Sequence, residues 1–191
     1  MERRADAMIE TLPRTISLAE WDEVVSHQEG VFELVAGIPT MSPGETGWNI
    51  DVAFELAARI RSAAGAGVRA LPNYGVRTID GTVRQPDLVV LGREVDISAA
   101  RVDAEVVDLV VEVVSPDSIE RDWITKRHEY AAAGIPLYLV IDDAATTPTL
   151  TLFTLDDATG TYSAPAGGSS VELVLSGEAI TITSEALRRR R

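Results

Sequence analysis

The stretch Val106-Val107-Asp108-Leu109-Val110-Val111-Glu112-Val113-Val114 constrains the fold more than any other part of the chain. β-Branched side chains lose rotamer freedom in a helix and pack well on a pleated surface, so the run predicts a strand. It lacks an alternating polar face, so the strand is expected to be central and covered on both sides. Leu88-Val89-Val90-Leu91 and Pro136 to Ile141 read the same way. Ile119 to Ala133, ahead of Gly134, has the pattern of a helix between two such strands. Strand, helix, strand is a crossover unit and calls for a sheet with helices packed on it.

The flanking segments fill in around this unit. Thr15 to Gln28 predicts a helix with Ser17 and Glu20 as a capping box, and Leu18, Trp21, Val24 and Val25 as its apolar stripe. Val31 to Val35 and Ile38 to Met41 predict a hairpin around Ala36-Gly37, and Ser42-Pro43-Gly44 ends it. Asn49 to Ala63 predicts a second helix, with Ile50, Ala53, Phe54, Ala57 and Ile60 on its inner side and Gly65 and Gly67 after it. Strands are expected from Gly75 onward, with a hairpin over Val76 to Arg84 turning at Asp80-Gly81. Thr149 to Leu155 and Tyr162 form another hairpin, Pro165 to Ser170 a loop, and Val171 to Leu175 with Ala179 to Thr183 a last pair. No internal repeat or composition shift marks a second domain. The expected division is an extension over 1–14, one domain over 15–187 and a basic tail over 188–191.

The 191 residues include 17 basic and 30 acidic side chains, a formal net charge of -13. That balance repels polyanions at long range and argues against a general nucleic-acid coat protein. It argues less against an enzyme that meets a phosphodiester through a few local groups and divalent cations, because such sites are themselves acidic. The absence of cysteine excludes disulfides, thiolate metal ligands and a cysteine nucleophile, and two histidines exclude a three-histidine zinc site. Met1 to Ile9 has no apolar leader core, and no run reaches the roughly 18 apolar residues of a membrane span. A cytoplasmic protein without membrane attachment is expected.

Carboxylates within apolar strands are the chemically informative feature. Strict alternation puts Asp108 and Glu112 on one face of their strand. An unpaired carboxylate there costs several kcal/mol or takes up a proton. Either Glu112 pairs with an arginine or caps the next helix, or a bound metal offsets its charge. Pro86 places Asp87 at the mouth of the following strand, and Glu33 stands between Phe32 and Leu34. Three isolated carboxylates suit Mg²⁺ or Mn²⁺, which take hard oxygen ligands. Lys126 lies four residues after Asp122, as a surface ion pair would, or it projects over the sheet toward the carboxylates. Tyr130, four further on, either joins that site or simply packs. Ser115-Pro116 ends the strand, with Asp117 or Ser118 as the helix cap.

Several stretches together resemble the Uma2 family of the PD-(D/E)XK nuclease superfamily. They are Phe32-Glu33-Leu34-Val35 with Gly37, Met41-Ser42-Pro43, Val83 to Val90, Val111 to Pro116, and Asp122 with Lys126 and Tyr130. Ala133 to Pro136, Tyr138 and Asp142 complete the pattern, in family order over about residues 15 to 155. The resemblance implies an α/β (α+β), restriction-endonuclease-like mixed β-sheet flanked by helices, with extra β-hairpins. It further implies a metal-dependent endonuclease acting on nucleic acid, DNA rather than RNA, with Mg²⁺ as cofactor and Mn²⁺ as substitute, and a homodimer. Asp87 looks like the aspartate of the first motif, Glu112 like the acid of the second, and Glu33 like the early acid that completes the metal set. The motif lysine position holds Val114, and Lys126 looks like its replacement from the next helix. Asp122, Tyr130 and Gln85 fall around these residues. Many relatives carry histidine near Trp48-Asn49, which this chain lacks.

Arg59, Arg61, Arg69, Arg77, Arg84 and the Arg188 to Arg191 tail offer a local basic rim for a nucleic acid. Two other classes stay open. One is a non-catalytic oligomeric or partner-binding protein on the same fold. The other is a hydrolase of another phosphate or of a glycoside, although 5% aromatic content is little for a sugar cleft.

Overall fold

Ser17 starts the first helix through a reciprocal cap. Its backbone N–H and hydroxyl donate to the Glu20 carboxylate, and its Oγ accepts from the Glu20 N–H. This helix, α1, runs Leu18–Val25 and buries Trp21. The computed structural model describes residues 15–25, 30–42, 46–79, 81–114, 118–142 and 147–187. The expected end of α1 at Gln28, the Pro43-Gly44 break, Asp80 of the expected turn and the Ser115-Pro116 stop with Asp117 lie outside the described residues, as do the 1–14 extension and the 188–191 tail.

Strands β1 (Phe32–Val35) and β2 (Ile38–Met41) pair across Ala36 and Gly37, whose φ values of 49° and 80° give the primed turn that suits strand twist. Helix α2 (Gly47–Ala64) begins at Thr46, whose hydroxyl oxygen accepts from the Asn49 N–H. There follow β3 (Val68–Pro72), β4 (Gly75–Arg77), β5 (Val83–Arg84), β6 (Leu88–Gly92), β7 (Arg101–Asp103) and β8 (Val107–Val114). A π-helical segment, Arg121–Lys126, runs directly into α3 (Arg127–Ala132). The chain then forms β9 (Leu137–Asp142), β10 (Thr149–Asp156), β11 (Thr161–Tyr162), β12 (Ala166–Gly168), β13 (Ser170–Leu175) and β14 (Glu178–Thr183).

The main mixed sheet has the order β11-β10-β9-β8-β6-β3, with β12 also paired to β10. Strands β8 and β9 are parallel, as the crossover through the helix requires, and β6 is antiparallel to β8. A second sheet has the order β2-β1-β5-β4-β7, and β13-β14 form a separate hairpin. Val52, Leu56 and Ile60 of α2 pack with Leu109, Val111 and Leu139 in the core on one side of the main sheet. Tyr130, Tyr138, Val110, Val140 and Phe153 form the core on the other.

Four expectations need correction. The inner face of α2 carries Val52, Ala53, Leu56, Ala57 and Ile60, while Ile50 and Phe54 are exposed. Helical spacing fits both sets, and the sheet selects the one that includes Asn49. Strands β3 and β7 are additions to the expected set, being too short or too charged to stand out. Alternation fails at Asp108, because the β6–β8 register shifts between Val90 and Leu91. Val107 and Val110 therefore share one core and Leu109 the other, and Asp108 lines a cavity with Leu152, Leu173 and Leu175, away from Glu112. Burial raises its carboxyl above the ordinary value.

The expected loop over Pro165 to Ser170 contains β12, and Ser170 opens β13. Gly167 allows this close pairing: a Cβ there would stand 2.7 Å from the Leu150 carbonyl oxygen. Gly167→Ala is expected to push β12 off β10 and cost about 1–3 kcal/mol. Urea unfolding with an unchanged midpoint would refute that account of the segment.

Candidate active site

Two antiparallel registers place the charged residues. In the second sheet Leu34 pairs with Val83, so the next step sets Glu33 across from Arg84. In the main sheet Leu88 pairs with Val111, and one step beyond the last pair sets Asp87 across from Glu112. The tetrapeptide Arg84-Gln85-Pro86-Asp87 carries the chain from one sheet to the other. The site is thus at a junction of two sheets rather than on a single one.

Lys126 closes the junction from the π-helical segment. It is 3% exposed, and its Nζ lies 2.8 Å from Glu112 Oε1, 3.5 Å from Glu33 Oε1 and 3.5 Å from Asp122 Oδ1. Of the two placements its spacing allowed, it therefore takes the interior one while keeping the Asp122 contact. Tyr130, one turn on, donates its hydroxyl to the same Glu112 oxygen at 2.7 Å. Asp122 is also buried, and its backbone carbonyl accepts from the Tyr138 hydroxyl at 2.8 Å.

Glu33 is held by both its oxygens. Arg84 donates to Oε2 at 2.8 Å, and the Gln85 N–H to Oε1 at 3.2 Å. Arg84 also forms a two-point fork on Glu129 of α3, at 2.6 and 2.7 Å. Asp87 Oδ2 accepts from the Val113 N–H, while the Val113 carbonyl accepts from the buried Asn49 side chain at 3.1 Å. Val113 thus meets Asp87 through its N–H and Asn49 through its carbonyl, so the amide of Asn49 anchors the residue that contacts Asp87. The Gln85 side chain turns away, to the Asn73 carbonyl.

Arg84, Glu129 and Asn49 are site residues that sequence reasoning alone does not single out. Arg84 was expected in a basic rim, but it is 3% exposed and wholly committed to Glu33 and Glu129. Of the other arginines of that rim, Arg59 pairs with Glu55 and Arg77 with Asp103, while Arg61 and Arg69 donate to backbone carbonyls. The Arg188 to Arg191 tail lies outside the described residues. A cation within a strand pattern, one register step from an acid, was the available signal for Arg84.

The electrostatics are strongly coupled. Burial raises the Glu112 carboxyl; Lys126 opposes this, but Asp122 and Asp87 reinforce it, and the group sits well above its ordinary value. Burial also pushes Glu33 up, yet Lys126, Arg84 and the Gln85 N–H outweigh it and hold Glu33 low. Burial disfavours the charged form of Lys126, but Glu112, Glu33 and Asp122 more than offset this and keep it protonated. Tyr130 is raised by burial and by Glu112, so its proton stays available for donation.

Among the described residues, four carboxylates (Glu33, Asp87, Glu112 and Asp122) are buried against two cations, Arg84 and Lys126. This excess of hard oxygen donors fits a divalent cation. Lys126 and Tyr130 both engage Oε1 of Glu112, so neither occupies Oε2. Among the described residues no three acidic or histidine side chains are grouped so as to hold an ion by themselves. Two carboxylates completed by water and phosphate oxygens are the usual arrangement for Mg²⁺.

A family model described as "Uma2: Putative restriction endonuclease" matches residues 18–183. The fold matches a crystal structure titled as a "putative nuclease belonging to DUF820" from Anabaena variabilis, with a TM-score of 0.66 at 14% identity over 92% of this chain and 97% of that one. No curated protein matches the sequence. Among the described residues no helix is long and apolar enough to cross a membrane.

A raised carboxyl binds its proton more tightly in the folded than in the unfolded chain. Glu112 therefore weakens the metal-free fold as pH rises above its unfolded value of about 4.5. Glu33, lowered, adds stability that is lost as pH falls through the acid range. In EDTA, Glu112→Gln is expected to raise the melting temperature at neutral pH and flatten the decline above about pH 5. An unchanged pH profile in thermal denaturation would show that Glu112 carries no such penalty.

Proposed function

Because the chain belongs to the Uma2 family of restriction-endonuclease-type proteins, we propose that it is a divalent-cation-dependent endonuclease that hydrolyses phosphodiester bonds of nucleic acid, DNA in preference to RNA. The observation that carries this reading is the buried Lys126 ammonium, 2.8 Å from Glu112 at the strand junction that also carries Asp87. Asp87 and Glu112 would hold Mg²⁺, or Mn²⁺ in its place, and Glu33, whose oxygens are taken by Arg84 and the Gln85 N–H, would add negative charge beside them rather than a third ligand. Such an ion supplies an acidified water and offsets phosphate charge.

The protein's own groups divide the remaining work. Lys126 is held protonated by its carboxylates, so it acts as a donor and a positive charge rather than as a base. It orients the attacking water or stabilises charge that develops on the phosphorus oxygens. Tyr130 fixes Glu112 by donating to Oε1, leaving Oε2 for a ligand. Arg84 ties Glu33 to Glu129 and so holds strand β1 and the helix bearing Lys126 at a fixed separation. Asn49 anchors the carbonyl of Val113, the residue whose N–H donates to Asp87.

We further read the protein as a cytoplasmic homodimer, supported by a cysteine-free composition and by the edge strand β2, where Met41 is 66% exposed. Light scattering that gives only the monomer mass at micromolar concentration would remove the dimer without touching the chemistry.

Mn²⁺ at millimolar concentration is expected to raise the melting temperature of the parent, and Asp87→Ala or Glu112→Ala to abolish that response while leaving a folded protein. Lys126→Ala should keep the response and lose about 10²-fold or more in cleavage, the scale of removing one electrostatic stabiliser. Cleavage of single- and double-stranded DNA and RNA by parent and variants is the accompanying measurement. No thermal shift in the parent would favour a non-catalytic protein on this fold. Full activity in Lys126→Ala would refute the role given to the lysine.

A further inference from the structure

The site, as read above, needs a group that receives the phosphate from solvent. The residues lining its interior are poor choices: Arg84 and Lys126 are each about 3% exposed and already surrounded by carboxylates. Among the described residues, the arginines of the basic rim expected from the sequence each have a protein partner. Arg121 is different. It opens the π-helical segment that delivers Asp122 and Lys126, and its side chain is 34% exposed.

The side chain leans over Asp122. Its Nε lies 3.5 Å from Asp122 Oδ1, close enough for charge attraction but outside hydrogen-bond geometry, and both atoms are buried without a hydrogen-bond partner. The same Asp122 oxygen is 3.5 Å from Lys126 Nζ, which is 2.8 Å from Glu112. Arg121 is thus linked to the centre of the site by two successive ion contacts, while its side chain as a whole keeps a third of its surface exposed. A guanidinium offers five donors in a planar fork matched to phosphate geometry, so a loose contact with one carboxylate leaves most of it unused. The π-helical register gives the placement a local cause, since such turns re-aim side chains where function requires it.

We propose that Arg121 is a substrate-binding residue that grips a phosphate of the nucleic-acid backbone at the mouth of the site. Asp122 holds its Nε side, and the outer nitrogens take the phosphate oxygens. The contact rests on the nuclease reading for its substrate class, but it makes its own claim about binding. Arg121 neither replaces Lys126 nor joins the cation set: it supplies positive charge outside a cluster whose interior is acidic.

The test is direct binding of a short fluorescein-labelled oligodeoxynucleotide, followed by anisotropy with Ca²⁺ in place of Mg²⁺ over a range of salt. Arg121→Gln is expected to weaken affinity about tenfold and to make the log–log salt slope shallower by about one. Arg121→Lys should recover part of the affinity, since it keeps the charge and loses the fork. Arg59→Gln is the control. It also removes one positive charge, from the exposed pair with Glu55, ten residues and about 15 Å along α2 from Asn49. Equal affinity of parent and Arg121→Gln overturns the proposal, as does a parent that does not bind the oligonucleotide. An Arg59→Gln loss equal to that of Arg121→Gln also overturns it, because net charge alone would then explain the effect. Mn²⁺-dependent cleavage is scored separately: a parent that binds through Arg121 but never cleaves keeps the phosphate contact and loses the catalytic reading.

Discussion

Lys126 carries its ammonium into the interior at 3% exposure, where desolvating an ion costs several kcal/mol unless it is paired and hydrogen-bonded. Its partners come from strand β8 (Glu112), strand β1 (Glu33) and its own helical segment (Asp122). Meeting that requirement brings two sheets and a helix to one point. Removing any single carboxylate leaves the lysine with two, whereas removing the lysine leaves like charges facing one another. The ammonium is therefore both the electrostatic keystone of the junction and the group on which the proposed chemistry turns.

Strand register turns this local demand into a global one. Glu33 meets Arg84, and Asp87 meets Glu112, because each pair sits one step along an antiparallel ladder. A shift of one residue in either ladder would move a carboxylate to the opposite face of its sheet. Apolar alternation on the flanking positions, such as Leu34 with Val83 and Leu88 with Val111, therefore secures the polar site. Arg84 adds a cross-tie by reaching Glu129 on α3. The crossover helix is consequently pinned from below by apolar packing of Tyr130 and Tyr138 and at its side by an ion fork.

The elements legible in the sequence are those whose signal is local. The Val107–Val114 strand, the crossover helix before Gly134 and the hairpin at Ala36-Gly37 follow from β-branching, periodicity and turn residues. Glu33 and Glu112 stood out because each interrupts an apolar run. The misses have nonlocal causes. Asp108 obeys the same rule as Glu112 until a register shift against β6, which leaves Asp108 itself without a partner position, rotates it away. Ile50 and Phe54 satisfy helical spacing as well as Val52 and Leu56 do, and only the sheet beneath distinguishes them. Arg84 looked like a surface cation because its partners lie 51 and 45 residues away. The glycines at 167 and 168 read as a loop for want of side chains, yet at Gly167 that same lack allows the close strand contact with β10.

A net charge of -13 sets the remaining constraint. At long range the molecule repels a polyanion, and at short range its interior site adds more carboxylate than cation. Attraction must therefore be local and arranged in depth. In the proposed arrangement a guanidinium lies at the mouth, a divalent cation between the strand carboxylates, and a lysine behind them that stays charged because those carboxylates surround it. Each positive element is stabilised by acids that would otherwise repel substrate. The acidity that makes the chain look ill-suited to nucleic acid is thus what the proposed metal and the buried lysine require, and phosphate recognition falls to few groups rather than to a broad basic surface.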